Sequence, residues 1–222
     1  MSPDLSALWL TLKVAAWATA VAAVLGVACG FALARGRWPG RRLLEAVLTL
    51  PMVLPPTVLG YYLIVVLGRN APIGGWLSEH LGIQLMFTWQ GAVIAASVVA
   101  FPLVFTSARA AFEGVHAHLE QAARVLGASE TKVFLQVSLP LAMRGIAAGT
   151  MLAFARAMGE FGATLMIAGN IPGKTQTLSM AIYDAVQSGN DALANTLVVL
   201  ISVLCIVILV ASSHLLTPRS DR

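Results

Sequence analysis

Long apolar runs alternate with short polar links along most of the chain. Five of them, about Leu8–Ala34, Leu43–Leu67, Met86–Ala108, Leu141–Met158 and Leu193–Leu216, approach the roughly 20 mostly apolar residues a helix needs to cross a hydrocarbon core. One stretch breaks the rhythm. Phe112–Pro140, FEGVHAHLEQAARVLGASETKVFLQVSLP, reads as water-exposed protein between the third and fourth runs. Within it Val115, Leu119, Ala122 or Ala123, and Leu126 recur at helical spacing, while Glu120, Gln121 and Arg124 fall off that stripe. Gly127 is placed to end a first helix, and Ser129 to cap a second that opens with Glu130. Val133, Phe134 and Val137 continue the second helix, and Pro140 is expected to close it. The pattern predicts an all-α, polytopic membrane protein. It is read as a single domain, 1–222, with about five transmembrane helices and a helix–Gly–helix loop at 112–140. Such a loop either lies along the membrane surface or is gripped by a soluble partner.

Composition agrees with a bilayer. Hydrophobic residues make up 58% of the 222 and charged residues only 11%, against about 25% in an average globular chain. The Met-Ser-Pro-Asp start lacks a basic region and a small-residue cleavage site, so the first run is expected to insert and stay. Cys29 and Cys205 each lie inside an apolar run, where free buried thiols are expected. The net charge of +4 does not point to nucleic acid, because its distribution follows the links. Arg35, Arg37, Arg41 and Arg42 crowd the first link; Arg109, Arg124, Lys132 and Arg144 flank the third; Arg219 and Arg222 follow the last run. Arg69 and Lys174 are the only Lys or Arg residues in the remaining links. The positive-inside rule then makes the charged links and the C-terminus cytoplasmic and the N-terminus external.

Several residues inside or beside the runs invite a role. Gly26-x-x-x-Gly30 and Gly145-x-x-x-Gly149 are read as close helix–helix contacts, and Lys13 as snorkelling outward. Pro51, Pro55 and Pro56 interrupt the second run, predicting a kinked helix that lines a wet pathway or simply packs against protein. Arg156 and Glu160 are four apart late in the fourth run, placed to share a helix face and neutralise each other near the far side of the bilayer. They either pin that helix or stand at a pore mouth, and hydroxyls such as Thr57, Ser97 and Thr164 are further pathway candidates. Ala168–Thr175, AGNIPGKT, nearly matches the phosphate-binding pattern G-x-x-x-x-G-K-[ST] but lacks its first Gly and follows a membrane run instead of a buried strand. It is rejected as a nucleotide site. His116 and His118 are read as a solvated loop face, not as metal ligands. No catalytic constellation, metal site or cofactor site emerges, so the chain is not expected to hydrolyse ATP by itself.

The central loop closely resembles the EAA loop of ABC importer permeases: Glu-Ala-Ala, three residues, Gly, nine residues, then an aliphatic residue, any residue, Leu-Pro. Here Gln121-Ala122-Ala123, Gly127 and Val137-Ser138-Leu139-Pro140 keep every spacing, with Gln121 replacing Glu and Glu120 standing just before it. The resemblance implies that Glu120, Gln121, Ala122, Ala123, Gly127, Ala128, Leu139 and Pro140 belong to a loop that docks on a separate ATPase. Arg156-Ala-Met-Gly-Glu160-Phe-Gly-Ala-Thr164, Asn170–Thr177, Ala181-Ile-Tyr183 and Leu50–Pro56 together resemble the molybdate type of permease, with the sulfate type similar. That likeness implies a homodimeric pore in the bacterial inner membrane, two ATPase subunits and an external oxyanion-binding protein. Arg156, Glu160, Thr164, Pro55 and Pro56 become its pathway or outer-mouth candidates. An ATP-independent channel or carrier would instead call for internal repeats or mid-membrane ionisable relays, and the chain offers neither.

Overall fold

The computed structural model describes residues 5–36 and 38–216. Arg37, Arg219 and Arg222, used above for the charge bias, lie outside the described residues, as does the Met-Ser-Pro-Asp start. The described chain is built of helices: α1 (Leu5–Arg35), α2 (Arg41–Val53), α3 (Pro56–Leu67), α4 (Pro72–Leu81), α5 (Trp89–Glu113), α6 (Ala117–Val125), α7 (Glu130–Val133), a π turn (Phe134–Ser138), α8 (Leu139–Met158), α9 (Gly162–Ala168), α10 (Leu178–Gln187) and α11 (Asp191–Leu216).

The frame is α1, α5 and α8, and small residues let their backbones touch. A Cβ on Gly30 would stand 2.9 Å from the backbone nitrogen of Arg109, and one on Gly149 2.4 Å from the Cβ of Ser107. Alanines such as Ala15, Ala18, Ala95, Ala100 and Ala153 fill the interior between them. In lipid there is little hydrophobic force between helices, so close van der Waals contact does the joining. The two Gly-x-x-x-Gly pairs therefore pack helices, as expected. Gly26 meets Val104 and Gly30 meets Arg109, so α1 and α5 run parallel; Gly145 meets Ala111 and Gly149 meets Ser107, so α8 runs antiparallel to both.

That pairing fixes the path of the chain. α5 starts beside the start of α1, so the segment between them must return across the bundle. The α2–α3 pair makes this return, bent by 115° at its break. The sequence predicts a kinked helix here; the structure has two helices and a break. The cause is the Pro55-Pro56 doublet. Each proline pushes the residue before it out of the α region, and Leu54 (φ −70°, ψ 142°) and Pro55 (φ −55°, ψ 139°) are both extended. Pro56 then opens α3, where its missing N–H is no loss.

The fourth crossing also differs from expectation. Helix runs from Glu130 to Met158 without a stop, and Pro140 does not close it. Ahead of the proline the turn widens, Leu139 N–H donating to the Phe134 carbonyl five residues back. Pro140 has no N–H to offer the carbonyl of Gln136 and its ring crowds that group, so a widened turn absorbs the mismatch and lets the helix continue. At its other end the helix stops at Met158, and Glu160 lies beyond it, not on its face. With α11, the candidate crossings among the described residues number four long helices and one broken pair.

Candidate functional site

One end of the bundle gathers the charges. Arg41 donates to Glu113 at 2.8 Å, Arg109 donates to Glu113 at 2.9 Å, and Arg109 also pairs with Glu45. These bonds join the start of α2 to the end of α5. Phe31, Phe112 and Phe134 pack beneath them, with Phe31 4.6 Å from Phe134 and 5.1 Å from Phe112.

The loop between α5 and α8 sits on this charged end. Its first helix ends in a Schellman arrangement: Ala128 N–H donates to Ala123 and Gly127 N–H to Arg124, with Gly127 at φ 84°. Ser129 caps the next helix, its hydroxyl accepting from Lys132 N–H at 3.4 Å. Both turn signals therefore lie where the sequence puts them. The orientation of α6 does not match its apolar stripe. Glu120 faces inward at 4% exposure, whereas Val125 and Leu126 are each 87% exposed and Leu119, Gln121 and Ala122 also face out. Glu120 is thus turned into the chain, its Oε1 accepting from Arg35 Nη2 at 2.5 Å and from Ser138 Oγ at 2.6 Å. Of the two residues at the start of the motif, the structure buries the carboxylate of Glu120 and leaves the neutral amide of Gln121 exposed. The stripe reading missed this because Glu120's partners lie on other helices.

Ala123 and Ala128 are half-buried, Leu139 is half-buried, and Pro140 is exposed. His116 precedes the helix in extended conformation, so its ring stacks on that of His118, with centroids 5.2 Å apart, instead of pointing away. Gly127 has open space around its α-carbon, so only backbone conformation limits it. Gly127→Val should cost roughly 1–2 kcal/mol in the turn, leaving the chain inserted while transport by the assembled complex falls. Surface labelling and uptake by the same preparation check both halves.

The opposite end holds the second group of residues. Arg156 Nη1 stands 2.9 Å from Glu160 Oε2, while Glu160 Oε1 accepts from Ala163 N–H at 2.9 Å. One buried carboxylate therefore neutralises an arginine and caps the short α9. α9 crosses α3 closely: Cβ atoms on Gly60 and Gly162 would stand 2.6 Å from Met166 and 2.8 Å from Pro56. Arg156, Pro51, Met52, Leu54, Pro56 and Leu59 share a pocket of about 320 Å³ with Val99 and Leu103. The structure thus brings Pro56, Arg156 and Glu160 together. Pro55 is exposed beside them, and Thr164 is fully buried with no partner for its hydroxyl. Ser97 donates back to Val93, and Thr57 is exposed.

Two further expectations change in detail, and the rejection of the Ala168–Thr175 loop as a phosphate site stands. Lys13 does not snorkel freely; its Nζ lies 3.6 Å from the centre of the Trp89 ring, tying α1 to α5. Cys29 and Cys205 are half-buried free thiols. The loop Ala168–Thr175 follows a helix, not a strand, and the N–H groups of Lys174, Thr175 and Gln176 all turn onto the Ile171 carbonyl, leaving no cradle of free amides. Asp184 clamps this loop by accepting from Asn170 and Gln176, each at 2.7 Å.

Parallel and antiparallel crossings around glycine contacts, a proline-broken pair and a capped loop at the charged end define a class. Residues 22–222 match the family described as the binding-protein-dependent transport system inner membrane component, and the chain belongs to that family. It is a multi-pass inner-membrane permease subunit, not an enzyme, with ATP hydrolysis on a separate subunit. Its relatives are more particular. The chain is 44% identical over 221 residues to the molybdenum transport system permease protein ModB of Escherichia coli (strain K12), covering 99% of this chain and 96% of that one. It is 47% identical over 200 residues to the putative molybdenum transport system permease protein YvgM of Bacillus subtilis (strain 168), covering 90% and 88%. Against the sulfate transport system permease protein CysW of Escherichia coli (strain K12) it is 35% identical over 214 residues, covering 96% and 73%. The fold is similar to that of the MetNI methionine ABC transporter in its inward-facing form, with TM-score 0.74 at 21% identity over 96% of this chain and 94% of that one.

Proposed function

We propose that this chain forms the translocation pathway of an ATP-driven importer for molybdate, with tungstate, its near-isosteric analogue, carried as well. The observation that carries the reading is the near full-length identity of 44% to a molybdenum permease, against 35% to a sulfate permease. Two copies enclose the pore, because one copy leaves a face open: α2 buries none of its residues, and Met52 and Val53 are 62% and 81% exposed beside the Arg156 pocket. The charged end faces the cytoplasm and the Arg156–Glu160 end faces outward, as the clustering of Arg35, Arg41, Arg109 and Arg124 favours. The N-terminus is then external and the C-terminus cytoplasmic.

Each copy presents the outer face of α6 to one ATPase subunit, with Gln121, Ala122, Val125 and Leu126 as the contact. An external binding protein delivers the oxyanion to the opposite end. ATP-driven closure of the two ATPases draws the loops together and opens the pore outward; hydrolysis returns it inward. The bundle offers few donors for a tight anion site: Arg156 is already paired with Glu160. Selectivity therefore rests mainly with the delivery protein.

Uptake of labelled molybdate into vesicles holding this chain, its ATPase and its binding protein tests the reading. Uptake is expected to require ATP and to withstand excess sulfate. Loss of uptake to sulfate would move the substrate to sulfate or thiosulfate, and ATP-independent uptake would overturn the importer reading in favour of a channel or carrier.

A further inference from the structure

We propose that Glu120 is a positioning residue that joins α6, the π turn and the end of α1 into one mechanical unit. The proposal rests on the permease reading above. α6 has little apolar anchorage, since Leu119, Ala122, Val125 and Leu126 all face outward. Glu120 supplies the attachment. Its Oε1 accepts from Arg35 on the last residue of α1 (2.5 Å) and from Ser138 on the last residue of the π turn (2.6 Å), positions 85 and 18 residues away in sequence. Arg124 Nη2 is the other charged group nearby, 3.9 Å from Oε2, but its guanidinium is already bonded to Glu130 at 2.7 Å. Among the described residues Glu120 is the one carboxylate within ion-pair reach of Arg35.

Charge-assisted bonds to a buried carboxylate resist separation more than neutral ones. A push on the outer face of α6 is therefore passed to Arg35 and Ser138 instead of rolling the helix in place. Ser138 lies where it matters, at the widened turn through which the loop becomes α8. A π turn is a register defect in an otherwise regular helix, and such defects occur often at functional sites. The same push also reaches α1 through Arg35, and α1 is joined to α5 along the Gly26–Gly30 contact. Gln121, exposed at the motif's usual Glu position, makes none of these contacts.

The test uses the complete transporter in liposomes: this chain, its ATPase and its binding protein. Molybdate uptake and phosphate release are read from the same vesicles. Glu120→Ala is expected to assemble with the ATPase but to lower uptake per ATP about 5- to 20-fold, with Ser138→Ala lowering it about 2- to 3-fold. The exchanged pair Arg35→Glu/Glu120→Arg should recover much of the loss. Amide hydrogen exchange, read without substrate, should rise in Glu120→Ala across both residues 117–125 and 134–138. An unchanged ratio in assembled complexes, or faster exchange confined to α6, would overturn the proposal. If Glu120→Ala fails to assemble, Ser138→Ala decides the matter by the same two readouts. A wild-type transporter that hydrolyses ATP without importing molybdate would defeat the substrate reading alone, and exchange would still decide this one.

Discussion

Glutamate at both Val125 and Leu126 will abolish capture of the ATPase while leaving the permease folded. Val125 ends α6 and Leu126 follows it, each residue 87% exposed on the side away from the Glu120 anchor. Among the described residues nothing covers them, so the described fold gains nothing from their apolar surface. Burying a Val or Leu side chain in a partner's groove contributes about 1.5–3 kcal/mol each. Losing two of these contacts, and placing carboxylates where a dry contact should form, is expected to weaken binding at least about 1,000-fold. The permease itself should change by no more than about 0.5 kcal/mol, as exposed substitutions usually do. Titrating the ATPase onto permease held in nanodiscs, with thermal unfolding of the permease as control, measures both. Undiminished binding would mean that this face of α6 is not the contact.

Glu160→Ala will be the most damaging single change at the opposite end. It removes the partner of Arg156 and the acceptor for Ala163 N–H at once. Breaking the pair from this side is expected to cost about 1–2 kcal/mol, because the Arg156 side chain left behind is 39% exposed and partly solvated while the buried amide loses its acceptor. The lost cap is at the head of α9, whose contact with α3 through Gly60 and Gly162 shapes the pocket. Arg156→Met/Glu160→Leu should fold no worse than Glu160→Ala alone, since it leaves no unpaired arginine while Ala163 N–H loses its acceptor in both. Uptake by that double variant then separates two roles. Normal uptake would assign the pair to holding the helix end, and a folded variant that fails to import would assign Arg156 to the pathway. Yield of monodisperse protein and uptake per folded molecule are the measurements.

Features set by neighbours in sequence were legible from the sequence. Long apolar runs demand that backbone groups bond within their own segment, so helical crossings were readable without coordinates. Gly127 and Ser129 act on amides within five residues of themselves, and the structure finds both turns in place. Pro55 and Pro56 were readable as an interruption for the same reason, although not the 115° angle, which depends on how α3 packs on α9. Gly30 and Gly149 were readable as close contacts, but not their partners on α5.

What the sequence could not carry were pairings between distant helices. The apolar stripe put Glu120 among the outward residues, because hydrophobic spacing says nothing about a carboxylate whose counter-charge is 85 residues away. Lys13 was read as free for the same reason, its ring partner lying on α5. Pro140 looked like a stop because a proline breaks the ordinary helical bond; a widened turn, supported by Phe31 and Phe112 packed around Phe134, lets the helix pass. The sequence by itself determined that this chain is a helical membrane protein with a capped loop, because burial in lipid and local hydrogen bonding act through adjacent residues; the ABC-permease type of that loop came from its resemblance to the EAA motif. Only the tertiary structure decided which side of that loop turns inward and which charges it joins, because buried charges choose partners by position in space and not by spacing along the chain.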